Sequence, residues 1–177
     1  MIQEEIVQGD LLFHAVHGLC RVDEIARQKR SDSEVMSYSL VPKVASKSKE
    51  RFIIAGSDMK ISGFHVLITV KEANEILAYL QAGKINALPP AIEAGSENEA
   101  WGLAQSLLSF SSEGMEVKDQ RKRQKLERAA RGLIRELSLV FEMTLKDTMA
   151  RVRKSLGGSA PRINTAVLSA LARAGED

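Results

Sequence analysis

The chain has 177 residues, 44% hydrophobic and 5% aromatic, with a formal net charge of +2. This length suits one medium domain or two small ones, and the apolar content excludes a wholly disordered chain. The single cysteine, Cys20, excludes an intrachain disulfide framework and fits a reducing cytoplasm. The opening MIQEEIVQGD has no basic stretch leading into an apolar one, so no signal peptide is expected. No apolar run approaches the roughly 20 residues of a membrane span. The charge is uneven: residues 72–117 carry a net −6 and residues 118–154 a net +7. Such asymmetry suggests that different parts meet different partners.

Residues 11–13, 20–25, 35–41, 51–54 and 66–69 are short apolar, β-branched runs separated by Gly, Ser, Asp and Lys clusters, and predict strands. His17-Gly18 falls where a tight turn is needed, and residues 43–50 are expected to form a polar loop. Several short strands without a helical spacer imply a small antiparallel barrel or curled sheet.

The period changes at Thr69. Thr69 and Glu72 have capping-box spacing, Ala73, Ile76, Leu77 and Leu80 follow helical spacing, and Gly83 is a plausible stop. Residues 84–95, with Pro89-Pro90, form a linker. Ser96 with Glu99 opens a second helix whose apolar face is Trp101, Ala104, Leu107 and Leu108, and residues 109–114 break it. A long helix follows from about Asp119 to Phe141. Its apolar face is Leu126, Ala130, Leu133, Ile134, Leu137 and Phe141, and its opposite face carries Arg121, Lys125, Arg128, Arg131 and Arg135. Thr144 and Asp147 cap another helix bearing Leu145, Met149, Val152 and Leu156, which Gly157-Gly158 ends. The tail is only weakly amphipathic around Val167, Leu168 and Leu171. The expected organisation is α+β: a β-rich module over 1–69, a compact helical module over 70–158, and a weakly structured tail over 159–177.

The catalytic motifs sought, GxSxG, GxxxxGK[ST] and GxGxxG, are absent, and the acidic residues scatter along helix faces, so no enzymatic activity and no cofactor are expected. His14, His17 and Cys20 are a donor cluster, but a strand–turn–strand alternates their directions and a closed zinc site wants a fourth ligand. They are expected to be turn or packing residues, not metal ligands. Trp101 is expected in the core by periodicity, the alternative being a wedge on nucleic acid. The basic face of the long helix is the better candidate. Arginine forks onto phosphate or carboxylate oxygens, and of the five cations only Arg131 has an acid four residues away, Glu127. Phosphate backbone, an acidic protein and plain solvation all remain open for it.

QGDLLFHAVHGLCRVDEI resembles the opening of CarD/CdnL-type bacterial transcription regulators and of the related RNA-polymerase-interacting module of transcription-repair coupling factors. The shared positions are Gly9, Asp10, Leu11, Leu12, His17, Gly18, Val22 and Ile25. LERAARGLIRELSLV resembles that family's penultimate helix through Leu126, Arg128, Leu133, Glu136, Leu137 and Leu139. The likeness covers most of residues 6–156.

The resemblance implies a Tudor-like, SH3-like barrel followed by a compact helical domain. The barrel would dock on the RNA polymerase β subunit, with Arg27, Lys29 and Arg51 at the gripping positions. The helical domain would lie on promoter DNA, with Arg123 and Arg128 matching positions that approach the backbone. With the rest of the basic face, the expected DNA-contacting set is Arg121, Arg123, Lys125, Arg128 and Arg131, joined by Arg135. The chain departs from the family's pattern at Ala15, where a Pro is usual, and at residues 55–59, which replace a Pro-x-Asn/Asp-Ala stretch. The family's Trp is followed by an Arg/Tyr-rich helix, whereas Trp101 is followed by Gly-Leu-Ala-Gln; the wedge-bearing helix is shortened or lost. The expected function is a non-enzymatic transcription regulator. The alternative is a protein-only adaptor whose helical module binds an acidic protein surface or dimerises.

Overall fold

The computed structural model describes residues 5–30, 33–44, 50–85, 99–112, 119–157 and 163–176. The chain divides into two compact units, Met1–Leu67 and Ile68–Asp177.

The first unit is a five-stranded antiparallel sheet in the order β4-β3-β2-β1-β5. Its strands are β1 (Leu11–His14), β2 (Gly18–Arg30), β3 (Ser33–Pro42), β4 (Phe52–Ala55) and β5 (His65–Val66). The sheet is open, with β4 and β5 at its edges. Between β4 and β5 run a 3-10 turn (Gly56–Asp58) and a one-turn helix, α1 (Met59–Ser62). Leu12, Cys20, Val22, Tyr38, Leu40, Met59 and Phe64 form the core, with Ile6, Ile25, Met36, Phe52 and Ile54 packed against it.

Two local devices shape this sheet. Asp10 accepts a hydrogen bond from the Val7 backbone N–H (2.8 Å), while Gly9, at φ +98°, donates its N–H to the Val22 carbonyl (2.8 Å). The Gly-Asp pair thus turns the chain onto β2 through a backbone conformation that glycine adopts without steric cost. At the other end of β1, His14 Nδ1 accepts from the N–H groups of Val16 (3.1 Å) and His17 (3.2 Å), and Gly18 takes φ +71°. His14 stacks on His17 at 4.6 Å. Both imidazoles are turn and packing groups, and the Cys20 thiol is buried beside them in sequence.

Strands β2 and β3 run well beyond the expected limits of residues 20–25 and 35–41, pairing out to Arg30 and Ser33. The polar stretches 27–30 and 33–34 resemble a loop in composition, yet ladder pairing asks only for backbone groups. The strand expected over 66–69 shrinks to His65–Val66 because Thr69 is committed to capping the next helix.

The second unit holds α2 (Val70–Ala82), α3 (Ala100–Ser112), α4 (Gln120–Phe141), α5 (Leu145–Gly157) and α6 (Thr165–Glu176). The Thr69–Glu72 capping box is formed, and Gly83 is the left-handed C-cap of α2. Asp119 caps α4 by accepting from the Arg121 N–H (2.9 Å), and Thr144 caps α5 with Asp147. Helix α4 is central: α2, α3, α5 and α6 all touch it. Leu126, Ala130, Leu133, Ile134 and Leu137 are buried along it.

Two expectations are corrected here. The break expected from residue 109 starts later, because 109–112 continue α3; the Ser109 hydroxyl donates to the Gln105 carbonyl (2.9 Å), which accommodates serine inside a helix. The weakly structured tail is instead α6, with Val167, Ala170, Leu171 and Ala174 buried. These residues recur at helical spacing, and the helix packs on α4 and α5. The expected Ser96 cap, most of the 84–95 linker, the end of the 109–114 break and residues 45–49 of the polar loop lie outside the described residues. No helix among the described residues is long and apolar enough to cross a membrane.

Candidate nucleic-acid interface

The basic side of α4 divides along its length. In the first half, Arg121, Lys125 and Arg128 are exposed and lie about a turn apart, since residues spaced by three or four share a helix face. With Gln124 and Ala129 of α4 and Leu103 and Ser106 of α3, they line a groove of about 300 Å³. Three cations, a hydroxyl and a carboxamide therefore converge on one concavity, a donor set suited to oxyanions. Arg131 is exposed one turn further on, and Arg135 is half-buried.

Arg123 stands apart from that set. It lines a separate cavity of about 230 Å³ between α4 and α6, with Glu127, Thr165, Ser169 and Arg173 among its walls. Glu127, which the sequence pattern assigned to Arg131, is bonded to Arg173 of α6. That partner could not be anticipated while residues 159–177 were expected to be a weakly structured tail.

Glu136, part of the Leu-x-x-Glu-Leu pattern, is fully buried, and its Oε1 accepts from the Ile68 N–H at 3.4 Å. Ile68 is the first residue of the second unit. The carboxylate therefore ties the second half of α4 to the turn before α2. On a helical wheel Glu136 lies close to the basic face, so sequence alone places it outside the core.

Trp101 is 8% exposed and meets Tyr79 of α2 edge-on at 5.8 Å between ring centroids. Its packing against α2 realises the core expectation. Burial pushes the Tyr79 phenol above its ordinary pKa, and its hydroxyl donates to the Ile85 carbonyl (3.1 Å).

In the first unit, Arg27 and Lys29 are exposed neighbours on one face of the β2 extension, opposite Met36 and Glu34 of β3. Arg51 belongs to a different group. Its guanidinium meets Asp23 at 2.9 Å and Glu24 at 3.8 Å, and Arg21 reaches Asp23 at 3.5 Å. The register shift between Val22 and Glu24 presents both acids at that point. Arg27 is three residues beyond Glu24, roughly 10 Å at a strand rise of about 3.3 Å per residue. The three expected polymerase-binding positions thus form a solvated pair and a separate ion-paired arginine. The edge strand β4 beside Arg51 exposes Ile53 to 74%.

No protein-family model matches this chain, and no curated protein matches it.

Proposed function

We propose that the chain is a CarD-like, non-enzymatic transcription regulator. Its β-rich unit, read as a Tudor-like curled sheet, binds the β subunit of bacterial RNA polymerase. Its helical unit contacts promoter DNA through the backbone, without sequence readout. The observation that carries the DNA half is the convergence of Arg121, Lys125 and Arg128 on the α3–α4 groove. Cations gathered at one concavity neutralise neighbouring phosphates and release their counterions, which requires no base contact. The two sequence resemblances support the polymerase half, and the exposed β4 edge with Ile53 is a surface to which a partner strand can add. With Trp101 in the helical core, the duplex is steadied by charge and not by an inserted ring.

The test is a pull-down with the polymerase β subunit run beside a DNA mobility shift, using the full chain. R128E/R131E should abolish DNA retention at moderate salt and leave polymerase capture intact; R27E/K29E should do the reverse. Undiminished DNA retention by R128E/R131E refutes the DNA half. Polymerase capture without any shift by the wild-type chain selects the protein-only adaptor reading.

A further inference from the structure

Helix α5 carries a second cationic face. Lys146, Arg153 and Lys154 are exposed, and the other exposed positions on that side are Asp147, Ala150, Arg151 and Gly157. Asp147, the one acid on this face, is turned to the helix start, where it accepts from the Thr144 hydroxyl at 2.7 Å. Arg151, one turn on from Asp147 along the same margin, is occupied over the Phe141 ring at 4.2 Å and on Asn74 Oδ1 at 3.1 Å.

Helix stability does not account for this set. Lys154 sits in the last turn of α5, where the helix dipole favours a cation. Lys146 is the second residue of the helix, where the dipole disfavours one. Nor does the face resemble a protein–protein interface, whose centre is apolar and depleted of charge. Its uncharged exposed positions are alanine and glycine, and no large exposed hydrophobic side chain lies on α5. Lys146 and Arg153 are seven residues apart, about 10 Å at 1.5 Å per residue. That length is enough to reach more than one phosphate of a strand.

The geometry points to α5 as a second nucleic-acid backbone contact, made by Lys146, Arg153 and Lys154. This rests on the reading of the helical unit as a DNA-binding module and enlarges its footprint beyond α4. The step is pure charge neutralisation, so it adds affinity and salt sensitivity without altering sequence preference.

The experiment is fluorescence anisotropy of the full chain on a mixed-sequence duplex through a salt series. Three proteins are compared: wild type, K146Q/R153Q/K154Q and R121Q/K125Q/R128Q. Each lost phosphate contact lowers the slope of log K against log salt by about 0.9, so the α5 variant should lose about 2.7 from the slope. Between 50 and 200 mM salt the wild-type affinity should then fall about 40-fold more than that of the variant. A wild-type slope retained by the α5 variant overturns the proposal. If only the α5 variant loses slope, the α4 assignment fails and the α5 assignment stands. If wild type binds no duplex, both fail. Displacement of wild type from duplex by poly-glutamate, with duplex affinity unchanged in the α5 variant, rejects the α5 contact in favour of an acidic protein.

Discussion

Leu171→Ala separates a packed α6 from a loose tail. Leu171 is fully buried, alongside Val167, on a helix that packs against α4 and α5. Removing a leucine side chain from such a site costs about 2–5 kcal/mol, the transfer loss plus the cavity left behind. Set against a typical domain stability of about 5–15 kcal/mol, that is a large fraction. Urea unfolding followed by Trp101 fluorescence is the suitable assay, because the only tryptophan lies in the helical unit and is 8% exposed. With a slope near 2 kcal/mol per molar, the midpoint should fall by about 1–2.5 M. Ser169→Ala, on the exposed side of α6, should stay within about 0.3 M, since surface substitutions rarely exceed about 0.5 kcal/mol. A Leu171→Ala midpoint indistinguishable from that control would refute the packing of α6.

Three further substitutions probe other parts of the fold. Thr69→Ala removes the capping box of α2 and should cost about 1 kcal/mol in the same unfolding assay. Glu142, with φ +53° at the C-cap of α4, is the single non-glycine residue with positive φ among the described residues; Glu142→Gly should stabilise by a few tenths to about 1 kcal/mol, read as a raised urea midpoint. Burial pushes the Cys20 thiol from 9.0 up to about 11. The unfolded chain therefore loses this proton first, and the contribution is fully present below about pH 9 and lost as pH rises through about 11. The stability of the first unit should fall by on the order of 2 kcal/mol across that window, and Cys20→Ala, compared by hydrogen exchange on β1 and β2, should flatten that dependence.

Periodicity and capping chemistry exposed most of the helical unit in the sequence. Thr69 with Glu72 and Thr144 with Asp147 form the bonds their spacing requires, and the α4 stripe from Leu126 to Leu137 is buried as its spacing demands. Three features resisted that approach for different reasons. The far half of the β2–β3 ribbon is built from polar residues whose side chains do not reveal backbone pairing. Helix α6 buries Val167, Ala170, Leu171 and Ala174, a stripe at regular helical spacing that shows only when alanine is counted as part of its apolar face. The expected cation set on α4 came from one helix wheel and, for Arg123, from the family resemblance, although the wheel leans Arg123 toward the apolar side; neither can show what stands opposite. Only the tertiary arrangement brings Ser106 beside Arg121, Lys125 and Arg128, turns Arg123 toward the α6 cavity and gives Glu127 to Arg173.

The position of α4 within the helical unit also limits what its basic side can do. Gly132 and Glu136 lie close in angle to Arg121, Lys125 and Arg128 on a helical wheel, yet both are buried. The angular sector that meets solvent in the first half of the helix is covered at Gly132 and Glu136 and opens again only at Leu139, which is exposed but uncharged. Arg135 is half-buried at that transition. The surface that α4 offers a polyanion therefore runs from Arg121 to Arg131, ten residues or about 15 Å, which reaches only a few phosphates of one strand. A contact of that size gives modest affinity and no register of its own on the duplex. A protein relying on it needs a second attachment to be held at one place on DNA. On the proposed reading, docking of the first unit on RNA polymerase would supply such an attachment by raising the effective concentration of the helical unit at the duplex. Fusing the helical unit, residues 68–177, to an unrelated carrier should then leave weak, salt-sensitive DNA retention and abolish any effect on transcription. Full transcriptional activity of the fused unit would refute the division of labour between the two units.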